Sequence, residues 1–168
     1  MNQLYFSLTF IFLVVFMNFH VHAAEDPDLI STACKKAVAN YQGEVKYEFC
    51  VASLEMNPKS KTYDSYGLGV VSYKHTLKKG NSIKSHVDKL LKDGNQSPYV
   101  MEHLAGCSRD YANVSEVIYE KRNYIALSGV TSCQERFDSV FTSPLTKEEN
   151  ELRQLVFISF TLTDMTIP

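Results

Sequence analysis

The stretch PYVMEHLAGCSRDYANVSEVI, Pro98 to Ile118, decides the fold. Its positions Val100, Leu104, Cys107, Tyr111, Val114 and Ile118 follow one another in steps of four and three. Side chains at that spacing share one face of an α-helix, and a seam sustained over so long a run belongs to an antiparallel helical bundle. Pro98 suits the first helical turn, where no backbone donor is lost.

The cysteines give this helix a partner. Cys107 and Cys133 are symmetric about residue 120, inside the polar run Tyr119-Glu120-Lys121-Arg122-Asn123. Cys34 and Cys50 are symmetric about residue 42, inside the turn-like run Asn40-Tyr41-Gln42-Gly43. If each midpoint is the bend of a helical hairpin, the paired cysteines lie at equal heights on antiparallel neighbours, within reach of a disulfide. Four cysteines allow three connectivities. Only Cys34–Cys50 with Cys107–Cys133 uses both local hairpins.

Outward from Pro98 the chain remains helical. A long helix is expected from just after Asp64 to Asp93-Gly94, about 40 Å at 1.5 Å per residue. Its seam reads Val70, Tyr73, Leu77, Gly80, Lys84, Val87 and Leu91, with Ile83 standing in for the misplaced Lys84. Beyond the 120–123 turn, Leu127, Val130, Cys133, Phe137 and Val140 mark a third helix of about 18 residues, roughly 27 Å long. Thr146 and Glu149 have capping-box spacing and announce a last helix with the seam Leu152, Leu155, Ser159 and Leu162. Within it, Ile158, Phe160 and Leu162 alternate with Ser159, Thr161 and Thr163 as a strand would. With no partner strand elsewhere, the stretch is read as helix. Ahead of the bundle, Asp28 caps a short helix ending near Asn40, and a second runs from Lys46 to Leu54, broken by Asn57-Pro58. Both are too short to be stable alone, which gives the Cys34–Cys50 bond its purpose. The low glycine content and absence of Trp also speak against a turn-rich β fold. The expected fold is all-α: an up-down-up-down four-helix bundle preceded by a disulfide-linked helical hairpin.

Residues Leu4 to Phe19 form an uncharged apolar run that ends at the small residues of Val21-His22-Ala23-Ala24. It is shorter than the ~20 residues a spanning helix needs and reads as a secretory leader, 1–23. An oxidising compartment is where cysteines pair. The remainder, 24–168, is one domain: hairpin over 24–60 and bundle over 61–168. A net charge of −2 carries no basic footprint for nucleic acid, and no membrane association is expected once the leader is removed.

No catalytic constellation emerges, and neither a metal nor another cofactor is expected. His75, His86 and His103 have no metal-ligand spacing among them. His103 and Cys107 lie four apart on one face, but a cysteine in a disulfide neither ligates nor attacks. Glu148-Glu149 at a helix start reads as favouring the helix dipole rather than as a pair of catalytic acids. Gly67-Leu68-Gly69 reads as a close approach of the long helix to the hairpin. Asn113-Val114-Ser115 is a glycosylation sequon whose Asn113 falls off the seam, and Asn95-Gln96-Ser97 is a second, followed by Pro98.

Taken together, the leader, the Cys34-x15-Cys50 spacing, Asn57-Pro58-Lys59-Ser60 and Tyr66-Gly67-Leu68-Gly69-Val70 resemble the plant invertase and pectin methylesterase inhibitor family. Cys107-x3-Tyr111-Ala112, Thr131-x-Cys133 and Ser143-Pro144-Leu145-Thr146-Lys147-Glu148 extend the resemblance over the whole domain. The branch it is most similar to includes plane-tree pollen allergens. The resemblance implies a secreted, non-catalytic inhibitor of the cell wall, apoplast or vacuole that docks on an invertase or a pectin methylesterase and obstructs its active site. Relatives carry about four more helical turns between the tyrosine matching Tyr111 and the last cysteine, and some invertase inhibitors aim a Pro-Lys-Phe tripeptide from that hairpin. Here the segment is contracted to Asn113 through Ser132 and lacks the tripeptide. The expected target contacts are Glu120, Lys121, Arg122, Asn123 and Tyr124. The alternative is a non-inhibitory secreted bundle, a binding, storage or allergen-like protein that has lost its contacting tip.

Overall fold

The computed structural model describes residues 28–119, 123–137 and 142–166; for 113–119 and 123–126 it describes the backbone. The leader, Glu120 to Arg122, and Val140 at the end of the third seam therefore lie outside the described residues. Within them, all six α-helices and one short 3₁₀ turn are helical, with no strand. The helices are α1 (Leu29–Asn40), α2 (Tyr47–Glu55), α3 (Ser65–Asp93), α4 (Pro98–Tyr119), α5 (Asn123–Arg136) and α6 (Thr146–Asp164). None is long and apolar enough to cross a membrane.

Helices α3 to α6 form the four-helix core, each packed on its sequence neighbour and α6 closing against α3. Local chemistry sets their ends. Asp64 caps α3, its carboxylate accepting from the Gly67 amide at 2.8 Å, and Gly94 ends it at φ 63° with its amide on the Leu90 carbonyl. That left-handed cap favours glycine. The helix runs unbroken through Gly80, which is buried in the interface. The α4 and α5 seams meet at the Cys107–Cys133 bond, with Cα atoms 4.8 Å apart, surrounded by Leu104, Tyr111, Val130 and Phe137.

Helices α1 and α2 form a second core. Asp28 caps α1 through the Ile30 amide, and the chain reverses at Gly43, φ 81°. The Cys34–Cys50 bond, Cα–Cα 5.6 Å, ties the two helices, and Ser31 Oγ meets Tyr47 OH 3.0 Å away. Their apolar faces are covered by Leu68 of α3 and by Ile158 and Leu162 of α6. Tyr41 stacks on Phe157 with ring centroids 4.4 Å apart, and Gln154 Oε1 accepts from the Lys46 amide at 2.9 Å. After α2, Asn57 accepts from the Lys59 amide and Ser60 Oγ donates to the Leu54 carbonyl at 2.6 Å, closing a helix end that would otherwise be buried with a bare carbonyl.

Four expectations are corrected. The α3 seam is rotated: its buried residues are Leu68, Val71, Ser72, Thr76, Gly80, Ile83 and Val87, with Val70, Tyr73, Leu77 and Leu91 on the flanks. Ser72 and Thr76 can be buried because both hydroxyls reach Ser159 of α6, at 2.8 and 3.2 Å. Helix α5 has 14 residues rather than about 18; it stops at Arg136 in a tightened turn, the Phe137 amide on the Gln134 carbonyl. Thr146 is the first helical residue and not the cap of α6: its hydroxyl donates back to the Ser143 carbonyl at 2.7 Å. Finally, only Gly67 marks a close approach, and to Tyr63 rather than to the hairpin, whereas Gly69 sits at ordinary distance from Leu162.

The strand-like stretch 158–163 is helical, with Ser159 reaching across to α3 and the two threonine hydroxyls bonded back along the helix. Thr161 donates to the Phe157 carbonyl and Thr163 to the Ser159 carbonyl. A Cβ on Gly67 would lie 2.8 Å from the Tyr63 Cβ, an atom fixed to the backbone. Gly67→Ala is therefore expected to destabilise by about 1–3 kcal/mol despite alanine's better helix propensity. Urea unfolding checks this, and a stabilised variant would show that the Tyr63 loop yields freely.

Candidate functional site

The candidate contact segment sits where α4 turns into α5. From the Cys107–Cys133 bond, α4 continues to Tyr119 and α5 returns from Asn123, so the pair projects about 15–18 Å beyond the disulfide. Of the five expected contact residues, Asn123 and Tyr124 open α5. Glu120, Lys121 and Arg122 lie outside the described residues, as do the side chains of Asn123, Tyr124 and the sequon residue Asn113.

The base of this projection is built firmly. Arg136 Nε and Nη2 donate to Asp110 at 2.9 and 3.3 Å, joining α5 to α4. The guanidinium lies over Gly106, where an added Cβ would meet it at 2.7 Å and push the end of the Arg136 side chain aside. On the other flank Lys84 donates to Asp88 at 2.7 Å within α3 and Ser108 donates to it at 2.9 Å from α4; the two bonds hold the Asp88 carboxyl below its usual range, and the second joins α4 to α3.

Directly beneath lies a buried acid. Glu149 of α6 is fully buried and within 4.8 Å of both disulfide sulfurs. It accepts from Tyr111 OH at 3.2 Å and from the Ser143 hydroxyl. Its other oxygen, Oε2, is buried with no hydrogen-bond partner. Burial pushes its carboxyl up to about 7, against the opposing pull of the two hydrogen bonds and of Arg153. Burial, together with the neighbouring Glu149 carboxyl, also pushes the Tyr111 hydroxyl up. Glu149 thus serves the core rather than the helix dipole, correcting the reading from its place at a helix start. The grouping Cys107, Cys133 and Glu149 has the elements of a metal site, but its sulfurs are bonded to each other and offer no thiolate.

The histidines stand apart. His103 stacks on Tyr99 with centroids 4.1 Å apart, its Nδ1 2.8 Å from the Tyr99 carbonyl, and His86 Nδ1 lies 3.2 Å from Glu148. His75 faces a groove under α2. Sequence reasoning missed two large exposed side chains, Met56 at 68 % and Tyr66 at 64 % exposure, on either side of the loop between α2 and α3. They fall outside every seam, which was the available signal.

The sequence model of the plant invertase/pectin methylesterase inhibitor family matches residues 28–162, nearly all of the described helices. The chain belongs to that family. A protein of Platanus acerifolia named "Putative invertase inhibitor" is 31 % identical over 177 residues, covering 95 % of this chain and 98 % of the relative. A protein of the same name from Platanus orientalis is 31 % identical over 179 residues, covering 97 % and 98 %. Both alignments run longer than this 168-residue chain, so these relatives carry residues with no counterpart here. Members of the family are non-catalytic inhibitors, so the chain is not an enzyme, and the family's associations are with targets of the invertase and pectin methylesterase type. The family is typically secreted and apoplastic.

Proposed function

We propose that this family member is exported, loses residues 1–23, and acts in the cell wall or vacuole by docking on an invertase or a pectin methylesterase and obstructing its active site. The observation that carries the proposal is the match to the inhibitor family over residues 28–162. The name of the two plane-tree relatives puts invertase first among targets. The contact surface is then the α4–α5 tip, Glu120 to Tyr124, stiffened by the Cys107–Cys133 bond and the Arg136–Asp110 clamp at its base. Asn113, on the same arm, is the candidate glycan carrier.

The contracted tip favours a second reading, a secreted bundle without inhibitory activity. No Pro-Lys-Phe occurs between Asn113 and Ser132. Two turns missing from each arm would retract the tip by about 10 Å.

Residual activity of purified invertase and of pectin methylesterase, measured against concentration of the disulfide-bonded protein at mildly acidic pH, separates these readings. Invertase inhibition is expected, weaker than that of a longer-tipped relative, reduced by Tyr124→Ala and strengthened by grafting a relative's hairpin between Val114 and Val130. Inhibition of pectin methylesterase unaffected by Tyr124→Ala would move the contact to the helix faces. No inhibition of either enzyme, even by the grafted form, would leave the non-inhibitory bundle.

A further inference from the structure

Six exposed positions of α3 fall on one outward ridge: Lys74, Lys78, Asn81, Ser85, Lys89 and Lys92. Steps of three and four keep them in line along the helix, on the side away from the buried Thr76, Gly80, Ile83 and Val87. From Lys74 to Lys92 the ridge is about 27 Å long. None of its four lysines has an acidic partner among the described residues. The acids at its flanks are already engaged: Glu151 pairs with Lys79, Glu148 lies against His86, and Asp88 is held by Lys84 and Ser108. Asp93, in the last turn, offsets only part of the charge. On a chain of formal net charge −2, positive charge gathered along one line attracts a polyanion.

The rest of the ridge selects the kind of polyanion. It has no aromatic ring for a base to stack on and no apolar side chain to enter a lipid surface, which disfavours single-stranded nucleic acid and membranes. Its cations are lysines, point charges without the guanidinium fork that grips a phosphate. The gaps between them are uneven, about 6, 16 and 4.5 Å along the axis. A short ligand of fixed length therefore meets one pair at most. A polymer with a carboxylate on every unit finds one opposite each lysine, whatever the gaps. Asn81 and Ser85 fill the long gap with an amide and a hydroxyl, groups that hydrogen-bond to sugar hydroxyls.

We propose that the Lys74–Lys92 ridge of α3 binds a linear acidic polysaccharide with a carboxylate on each sugar, a polyuronate. The ridge carries none of the residues proposed for the inhibitory contact, so it stands whichever enzyme is the target.

The test is a two-dimensional amide NMR titration of the disulfide-bonded protein at low ionic strength. The ligands are an oligogalacturonate long enough to span the ridge and its fully methyl-esterified form, which keeps the sugars and lacks the charge. The acid form is expected to shift amides of 74–92 saturably, with a Kd of about 1 mM or tighter, and the ester to give no saturable shift. Salt at about 0.5 M should weaken the acid form at least fivefold. Lys74→Gln, Lys78→Gln, Lys89→Gln and Lys92→Gln together should weaken it at least about tenfold. Lys35→Gln, Lys36→Gln, Lys59→Gln and Lys147→Gln together remove the same charge from exposed positions off the ridge, and should change it less than about twofold. All eight side chains are exposed, so both variants should keep the parent spectrum elsewhere. Oligothymidylate of equal charge should bind more weakly than the oligogalacturonate. The proposal is overturned if the acid form gives no saturable shift, if the ester binds as well, if the two variants lose affinity equally, or if oligothymidylate binds as tightly.

Discussion

Raising the pH from 4.5 to 8 is expected to cost this protein about 3 kcal/mol of stability through one residue, Glu149. Its carboxyl, ordinarily near 4.5, is pushed up to about 7 in the folded state by burial. The folded protein therefore holds the proton more tightly than the unfolded chain does. The stability this contributes is complete below about pH 4.5, fades as pH rises towards 7, and is gone above. A proton affinity raised from 4.5 to about 7 corresponds to about 3 kcal/mol. The groups facing Glu149 are Tyr111 from α4, the Ser143 hydroxyl, and Glu148 and Arg153 from its own helix. None replaces water around a buried carboxylate. Asp88 works in the opposite direction and in another window: its lowered carboxyl contributes stability that is lost only as pH falls below its ordinary value of 3.8. Glu149→Gln keeps an acceptor for Tyr111 and cannot ionise. It should match the parent at pH 4.5 and exceed it by up to about 3 kcal/mol at pH 8. Urea unfolding of both proteins across this range, disulfides intact, measures the difference. Equal pH dependence in the two would show that Glu149 is not the cause.

Removing the hairpin bond should act on a different part of the molecule. Replacing Cys34 and Cys50 together by alanine frees a short loop in the unfolded chain, a loss of about 3 kcal/mol on the chain-entropy account. The loss should not be shared evenly. Helices α1 and α2 have 12 and 9 residues, too short to persist without the tie, and their apolar faces form a core separate from that around Cys107–Cys133. Hydrogen exchange should therefore show amides of α1 and α2 losing protection while those flanking Cys107 and Cys133 keep theirs. Uniform loss across the bundle would mean that the two cores unfold as one unit.

Much of this architecture was legible because it rests on local chemistry. Asp28, Asp64 and Gly94 each mark a helix end through one hydrogen bond or one backbone angle, and the structure places all three where the sequence reading did. Apolar spacing also located Leu104, Cys107 and Tyr111. What escaped were residues whose role depends on a partner distant in sequence. Ser72 and Thr76 look like surface residues until α3 is brought face to face with α6, where their hydroxyls meet Ser159 of the α6 seam. Glu149 has the spacing of a capping glutamate, yet Tyr111, 38 residues away, draws it into the core. The place of Gly106 under the Arg136 guanidinium has no local signal at all, since Arg136 comes from the next helix. The proposed contact segment rests on resemblance alone, since Glu120 to Tyr124 show no apolar periodicity in the sequence.

The docking of the hairpin on α6 has a consequence for the order in which the chain takes shape. The amide of Lys46 finds its acceptor on Gln154, 108 residues later, and Tyr41 finds its stacking partner on Phe157. Closing so long a loop carries a large entropic cost, repaid only once the final helix exists. The hairpin is thus sealed by a helix synthesised 108 residues later. Until residues 154–162 emerge, Ile30, Ala37 and Leu54 have no complete cover, whatever the middle helices have done. An early Cys34–Cys50 bond then acts as a placeholder, keeping the hairpin's two apolar faces turned towards each other until α6 arrives to cover them.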